Sequence, residues 1–269
     1  METTLFEIET IRLSNGNEVS YCPRRGGIIT LIKLQGKEIL YFDETTFQNL
    51  EVSVRGGIPI LFPNAGALDN PKFPNLKQHG FARNSSRWTV LKNAGGFHET
   101  LLSDEETKKV YPYDFRLSLD GKFGGDDSFI ITQVVENLGT EKELSVSFGL
   151  HPYFLVSNDE KKNIKFNFAG GKFIEEKISD WANDKFISVD NPRLEDPSAK
   201  IEVIIPSLGT LVLDISPQYK KIWVWSLPGK DFVCIEPAMR DVGGLVNDPE
   251  IVKPGAIFSA SFGLTLEKG

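Results

Sequence analysis

Two of the three histidines in this chain sit in short segments that present a side chain rather than bury it: Gln78-His79-Gly80-Phe81-Ala82-Arg83 and Leu150-His151-Pro152-Tyr153-Phe154. Downstream, Cys234-Ile235-Glu236-Pro237 closes an apolar run with a carboxylate. Two imidazoles and a carboxylate can move a proton on and off a neutral polyol, because their pKa values can be tuned towards neutrality. Sugar acid/base chemistry is therefore the first reading to weigh.

The elements expected to position these groups are strands. In the run from Leu144 to Leu150, the residues Leu144, Val146, Phe148 and Leu150 share one face and supply core. Ser145, Ser147 and Gly149 occupy the other face, followed by His151 and Tyr153, an order suited to the floor of a ligand groove. A solvated outer face with an incidental histidine is the alternative. Pro152 ends strand pairing just beyond His151. Glu236 shares a face with Phe232 and Cys234, while Val233 and Ile235 point the other way. A carboxylate in line with apolar residues is costly unless it is paired or functional. Partial desolvation would lift its pKa towards that of a general base; otherwise Glu236 reaches solvent or Arg240.

His79 lies in a turn, where it either faces a ligand or caps backbone, and Gly80 lets chain approach closely. Arg83 adds a donor fork suited to hydroxyls or phosphate, or pairs with Asp69 or Glu51. His98 has no comparable company and reads as a surface residue. Arg55-Gly56-Gly57-Ile58-Pro59 precedes Phe62-Pro63-Asn64; its paired glycines suit close approach to a ligand or to another strand. The segment lacks the Lys-Ser/Thr and following helix of a phosphate-binding loop. Trp223 and Trp225 share a strand face, either as core or as a sugar platform.

The wider chain agrees with a strand scaffold. Runs with a period of two recur at Phe129–Glu136, Leu144–His151, Thr210–Ile215, Lys221–Ser226, Phe232–Glu236 and Ile257–Leu266, punctuated by Gly, Pro, Asn and Asp. No segment keeps a 3.6-residue period with caps. Such spacing predicts an all-β fold, a large antiparallel sandwich, and the 19 phenylalanines suit a thick core between sheets. The 269 residues read as one domain, 1–269, without a linker or repeat. Three stretches look loose. Asp69–Asn75 is a candidate site-lining loop, whereas Leu102–Lys109 and Asn183–Lys200 read as surface excursions.

A net charge of −7 argues against nucleic acid or an anionic membrane as partner. No run approaches the ~18 apolar residues of a spanning helix. The N-terminal segment Met1–Glu7 is acidic and lacks the basic region of an export signal, so a cytoplasmic location is expected. Two cysteines, Cys22 and Cys234, then argue against a disulfide framework. Cys234 reads as a small core residue.

Taken together, four segments resemble the aldose 1-epimerase (galactose mutarotase-like) family, most closely its hexose-6-phosphate mutarotase branch. They are Arg55-Gly56-Gly57-Ile58-Pro59 with Phe62-Pro63, His79-Gly80-Phe81-Ala82-Arg83, His151-Pro152-Tyr153-Phe154 and Ile235-Glu236-Pro237. Their order matches from about residue 10 to 266. The resemblance implies a β-sandwich with a groove on one concave sheet. It implies Glu236 as the base at the anomeric hydroxyl, His151 as the acid at the ring oxygen, and His79 and Arg55 as ligands of sugar hydroxyls. Arg55 with Arg83 resembles the arginine pair of phosphosugar members. No metal or organic cofactor is implied. Two positions depart from the family: Leu150 stands where galactose mutarotases carry Asn, and the family's hydroxyl-binding aspartate could be Asp180, Asp190 or Asp214, with Asp190 preferred for its place between a strand-like run and a loop.

Three other readings use the same residues. A carbohydrate-binding protein without turnover would keep the aromatics but would not need a desolvated Glu236. A facial triad of His79, His151 and Glu236 could hold a metal, although at least 72 residues separate each from the next along the chain. A two-carboxylate glycosidase or lyase would need a second acid in a motif as distinctive as that of Glu236.

Overall fold

The alternating runs pair into antiparallel sheets. The structure, a computed structural model, describes residues 6–267; residues 1–5, most of the acidic N-terminal segment, lie outside it. Among the described residues the widest sheet has eight strands. Their spatial order is Lys165–Asn167, Ile201–Ile205, Gly209–Ile215, Ile257–Leu266, Ser128–Asn137, Phe115–Phe123, Gly96–Leu102 and Thr89–Asn93. Phe129, Ile131 and Val135 point inwards from its longest hairpin and are fully buried. Gln133 is the polar member of that row and accepts a 2.6 Å hydrogen bond from the Tyr219 hydroxyl.

A six-stranded sheet faces it. Ile187–Asp190, Lys221–Trp225, Phe232–Ala238, Gly149–Leu150 and Ile60–Leu61 lie in that order, and Tyr153–Leu155 also pairs with Phe232–Ala238. Strand alternation divides this sheet cleanly. Leu150, Phe154, Ile222, Val224, Val233 and Ile235 join the main core between the sheets. Tyr153, Phe232, Cys234, Trp223 and Trp225 pack on the opposite face. Burying a large apolar side chain contributes on the order of 1.5–3 kcal/mol, so the inward row fixes the strand register. A slip of one residue would send Glu236 into the core.

Several details differ from the sequence reading. The run from Leu144 to Leu150 is two strands, Leu144–Val146 against Glu250–Val252 and Gly149–Leu150 in the six-stranded sheet. Between them Ser147 donates its N–H to Pro63 and accepts from Ala65 N–H. Its small residues are there for packing: a Cβ on Gly149 would lie 2.8 Å from the Pro237 carbonyl. Only His151 and Tyr153 of that face reach a cavity. The Leu102–Lys109 stretch contains a helix, Glu105–Val110, capped reciprocally by Asp104 and Thr107. Six residues of helix are too few to show a period. Asn183–Lys200 supplies the edge strand Ile187–Asp190. His98 is half-buried and pairs with Asp120 at 2.7 Å.

Glu99, on the strand Gly96–Leu102, is fully buried and neither carboxyl oxygen has a partner. Burial pushes its pKa from 4.5 up to about 8. The folded state therefore keeps a proton that the unfolded state releases above pH 4.5, so Glu99 costs stability progressively as pH rises from there to about 8. Glu99→Gln should melt higher than the parent at pH 8, and the gain should shrink towards zero as the pH falls below that of free glutamate. Thermal unfolding of both proteins across this range checks it.

Candidate active site

The outward face of the six-stranded sheet floors a cavity of about 460 Å³. Glu236 enters it from the strand Phe232–Ala238, and His151 from the turn before Tyr153–Leu155. The two are 3% and 7% exposed. His151 Nε2 lies 3.4 Å from Glu236 Oε1. Their other polar atoms, His151 Nδ1 and Glu236 Oε2, are buried without a protein partner. Burial raises the pKa of Glu236 well above the usual carboxylate range, against an opposing pull from Arg83. Burial also drives His151 well below the usual imidazole range, helped by His79, Arg83 and Arg55. Both groups thus favour their uncharged forms, and the pair carries one labile proton. Arg240 does not reach Glu236; it pairs with Asp248 at 2.6 Å.

His79 approaches from a strained turn. Its φ is +64°, the left-handed region that non-glycine residues seldom adopt. Gly80 follows at +70°, where a Cβ would lie 1.9 Å from the Phe62 carbonyl. Reciprocal bonds hold the turn: His79 N–H donates to the Gly66 carbonyl at 2.9 Å, and Gly66 N–H donates to His79 Nδ1 at 3.0 Å. A nitrogen that accepts carries no proton, so the neutral ring bears its hydrogen on Nε2, and the Gln78 side-chain amide 3.2 Å from that nitrogen turns its oxygen towards it. Burial and Arg83 lower the His79 pKa to about 3. The two histidine rings meet edge to face at 5.5 Å.

Two guanidiniums line the same cavity. Arg55 lies over the Trp225 ring at 5.3 Å. Its glycines serve strand approach, since a Cβ on Gly57 would lie 2.3 Å from the Ile29 carbonyl. Arg83 donates one hydrogen bond, to the Gln78 carbonyl at 3.2 Å, while its Nε is buried and unpaired. Among the described residues neither arginine has an ion pair, so Asp69 and Glu51 do not neutralise Arg83. Part of the lining is aromatic: Trp223 and Trp225 both face the cavity, with Phe186 tilted on Trp223 at 5.1 Å.

The structure brings together five of the six residues singled out in the sequence. Asp190 is not among the cavity-lining residues; it sits in the edge strand, exposed, 2.8 Å from Lys221. Asp180 lies near Lys185 and Asp214 pairs with Arg193. The aspartate that does line the cavity is Asp184, which accepts a 3.0 Å bond from Trp225 Nε1. Its φ of +72° is a conformation Asp tolerates better than most residues. Nothing periodic marks it; the only signal was its Asn-Asp turn. Residues 69–75 flank the cavity without lining it.

Ligand atoms of His151, Cys234 and Glu236 lie within 4.8 Å of one another and are the donor set that could take a metal ion. Cys234 is fully buried, and burial raises its thiol pKa well above the usual range, so a metal would have to displace that proton.

The family model for aldose 1-epimerase matches residues 9–258. The chain belongs to that family. A curated protein of Cenchrus ciliaris, named provisionally as a glucose-6-phosphate 1-epimerase, is 30% identical over 145 residues. That match covers 49% of this chain and 42% of the relative, so the chain spans under half the length of this curated relative. A crystal structure from Synechocystis sp. PCC 6803 superposes with a TM-score of 0.79 at 26% identity, over 99% of both chains. A galactose mutarotase related enzyme from Lactobacillus acidophilus shares the fold at TM-score 0.77 and 20% identity, over 97% of this chain and 98% of its own. The β-sandwich is thus the galactose mutarotase-like one. No helix among the described residues is long and apolar enough to cross a membrane.

The electrostatics of His79 yield a direct check. A folded pKa near 3 against 6.5 for the free side chain means that acid protonates the unfolded state first, so this residue's contribution to stability falls as pH drops from 6.5 towards 3. Nitrogen NMR at pH 5 should still show His79 as the neutral Nε2–H tautomer.

Proposed function

We propose that this chain is an aldose 1-epimerase that interconverts the anomers of a hexose 6-phosphate. The observation that carries the reading is the desolvated Glu236–His151 pair, 3.4 Å apart, facing the cavity that two unpaired guanidiniums also line. Anomer exchange needs one group to take a proton from the anomeric hydroxyl and another to give one to the ring oxygen. Glu236 takes the hydroxyl proton; His151 protonates the ring oxygen; the C1–O5 bond breaks and C1 becomes an aldehyde. Rotation about C1–C2 followed by the reverse transfers closes the ring on the other face. The pair begins and ends with one proton between them, so no other proton source is required. Polar substrate atoms supply the contacts that let Glu236 ionise and His151 accept the proton, which passes once the 3.4 Å gap closes to hydrogen-bond distance.

His79 donates from Nε2 to a substrate oxygen, and Asp184 offers its second carboxylate oxygen to a hydroxyl. Asp190, the earlier candidate for that task, is committed to Lys221. Arg55 and Arg83 favour a dianion: two buried-edge guanidiniums without carboxylate partners gain charge-assisted, bidentate contacts from a phosphate. The provisional name of the curated relative points to the same substrate class. The sugar ring lies on the tryptophan wall. A binding protein without turnover would gain nothing from a carboxylate held uncharged at the cost of desolvation.

Glu236→Gln should lower the rate of anomer exchange by about 10²–10⁴-fold with the fold intact, and His151→Asn by a comparable factor. NMR exchange spectroscopy on glucose 6-phosphate measures this; wild-type rates in Glu236→Gln would shift the balance to the binding reading. Arg83→Ala should raise KM for glucose 6-phosphate while barely changing exchange of free glucose, because only the phosphate contact is lost. Equal losses on both sugars would make the free aldose the better assignment. Chelation with EDTA should leave exchange unchanged, and loss of activity together with a stoichiometric metal would favour a metal site.

A further inference from the structure

The antiparallel register gathers three metal-ligating side chains at one point of the six-stranded sheet. Tyr153 pairs with Cys234 and Gly149 with Ala238, a register that sets His151 opposite Glu236 between them. Cys234 and Glu236 are two apart on one strand and so share its outward face. His151 is thereby the cross-strand neighbour of Glu236 and the diagonal neighbour of Cys234. The side-chain atoms follow the backbone. His151 Nε2 is 3.4 Å from Glu236 Oε1, and one donor atom from each of the three residues lies within 4.8 Å of the others. All three side chains are buried, and His151 Nδ1 and Glu236 Oε2 have no hydrogen-bond partner. His79 stands outside this set, because its Nδ1 accepts from Gly66 N–H.

An imidazole, a thiol and a carboxyl are the ligand types of borderline-soft cations such as Zn²⁺. Bonds of about 2.0–2.3 Å at tetrahedral angles put zinc ligands roughly 3.3–3.8 Å apart. The His151–Glu236 separation of 3.4 Å already fits, and the thiol has at most about 1 Å to close. The fourth position opens on the cavity that His151 and Glu236 line, where water completes the coordination. Packing preforms the cluster: the His151 ring lies on Tyr153 at 4.7 Å and 13°, and Cys234 shares an apolar cluster with Tyr153 and Phe232. Charge balances as well. Binding breaks the Cys234 S–H bond and removes the proton shared by Glu236 and His151, and both protons pass to water. A dication with one thiolate, one carboxylate and one neutral imidazole carries no net charge. That suits a site with little water, and it adds no net repulsion of Arg55 and Arg83 in the same cavity.

We infer that His151, Cys234 and Glu236 form a binding site for a thiophilic divalent cation of the zinc type, and that its occupancy switches anomer exchange off. The metal takes the lone pairs of the two groups that must carry the proton, so neither can act as acid or base. The metal-free chain is the active form, and Cys234 has the task of capturing the inhibitor. Hard cations that prefer oxygen ligands, such as Mg²⁺, gain nothing from the thiol and are not held. The binding site stands on the geometry alone, whereas the switching rests on the epimerase reading of the cavity.

Zn²⁺ is titrated calorimetrically into wild type, Cys234→Ala and Glu236→Gln after each has been stripped with EDTA and desalted. Anomer exchange of glucose 6-phosphate is followed in wild type and Cys234→Ala at the same zinc concentrations. Wild type should bind one zinc per chain and lose exchange by about 10²-fold or more at saturation, the scale of one general acid or base, with recovery on added EDTA. Both variants should bind zinc at least about 10-fold more weakly, since even outer-shell partners of a metal are worth that much. Cys234→Ala should keep exchanging anomers at the zinc concentration that silences the parent, and Mg²⁺ should inhibit neither. Cd²⁺ should give wild type an ultraviolet thiolate-to-metal charge-transfer band that Cys234→Ala lacks. Wild type that binds no zinc, zinc affinity unchanged in either variant, or zinc bound without loss of exchange would overturn the inference. If Cys234→Ala does not fold, Glu236→Gln, which keeps the thiol and the imidazole, decides by its affinity. Metal-free wild type that exchanges no anomers would refute the epimerase reading and the switching with it, while the affinities would still decide the site.

Discussion

Glu236 and His151 are a carboxyl and an imidazole placed side by side where water scarcely reaches, and the site depends on that constraint. In water the carboxyl would be ionised at neutral pH and the imidazole would titrate just below it. On the floor of this cavity, among aromatic rings, each charge is expensive, so the carboxyl is driven up and the imidazole down until both favour neutrality. Cationic neighbours act unevenly: Arg83 opposes the rise of Glu236 but reinforces the fall of His151. The outcome is a pair with one proton and two places to keep it, which is what the proposed anomer exchange requires.

That arrangement needs a rigid frame, and the frame is the two-faced sheet. Val233 and Ile235 anchor the Glu236 strand from below, and Leu150 and Phe154 do the same on either side of His151. The third member of the constellation is held differently. His79 depends on a left-handed turn pinned by the reciprocal Gly66 bonds, and on Gly80, which alone fits against the Phe62 carbonyl. Strain at a binding turn persists because its surroundings over-determine it. The guanidiniums line the cavity from the extended segment at Arg55 and the short 3-10 turn Ala82–Asn84, and neither has a carboxylate partner among the described residues.

Much of this was legible in the sequence, for a definite reason. Period-two alternation assigns a face to each residue of a strand, so Glu236 could be set beside Cys234 and apart from Ile235 before any coordinates were known. The all-β architecture and the long strands followed from the same rule. What escaped lay where backbone conformation, not periodicity, decides. Asp184 owes its place to a left-handed turn and a bond from Trp225, neither of which leaves a pattern, so the more strand-like Asp190 drew attention instead. The excursion around residues 183–200 looked like surface because its edge strand is short and half-polar. The small residues Ser145, Ser147 and Gly149 suggested an open floor, yet the chain uses them to bring the Pro63 and Pro237 segments close. The short helix after Asp104 has six residues, below the length at which helical spacing can appear.

The central claim is that desolvation keeps Glu236 uncharged while the cavity is empty. Infrared difference spectroscopy of the ligand-free protein, wild type minus Glu236→Gln at neutral pH, reports on it directly. A carbonyl stretch of a protonated carboxyl group that is present in wild type and absent from the variant is the predicted result. A difference spectrum containing only the paired bands of an ionised carboxylate would contradict the account.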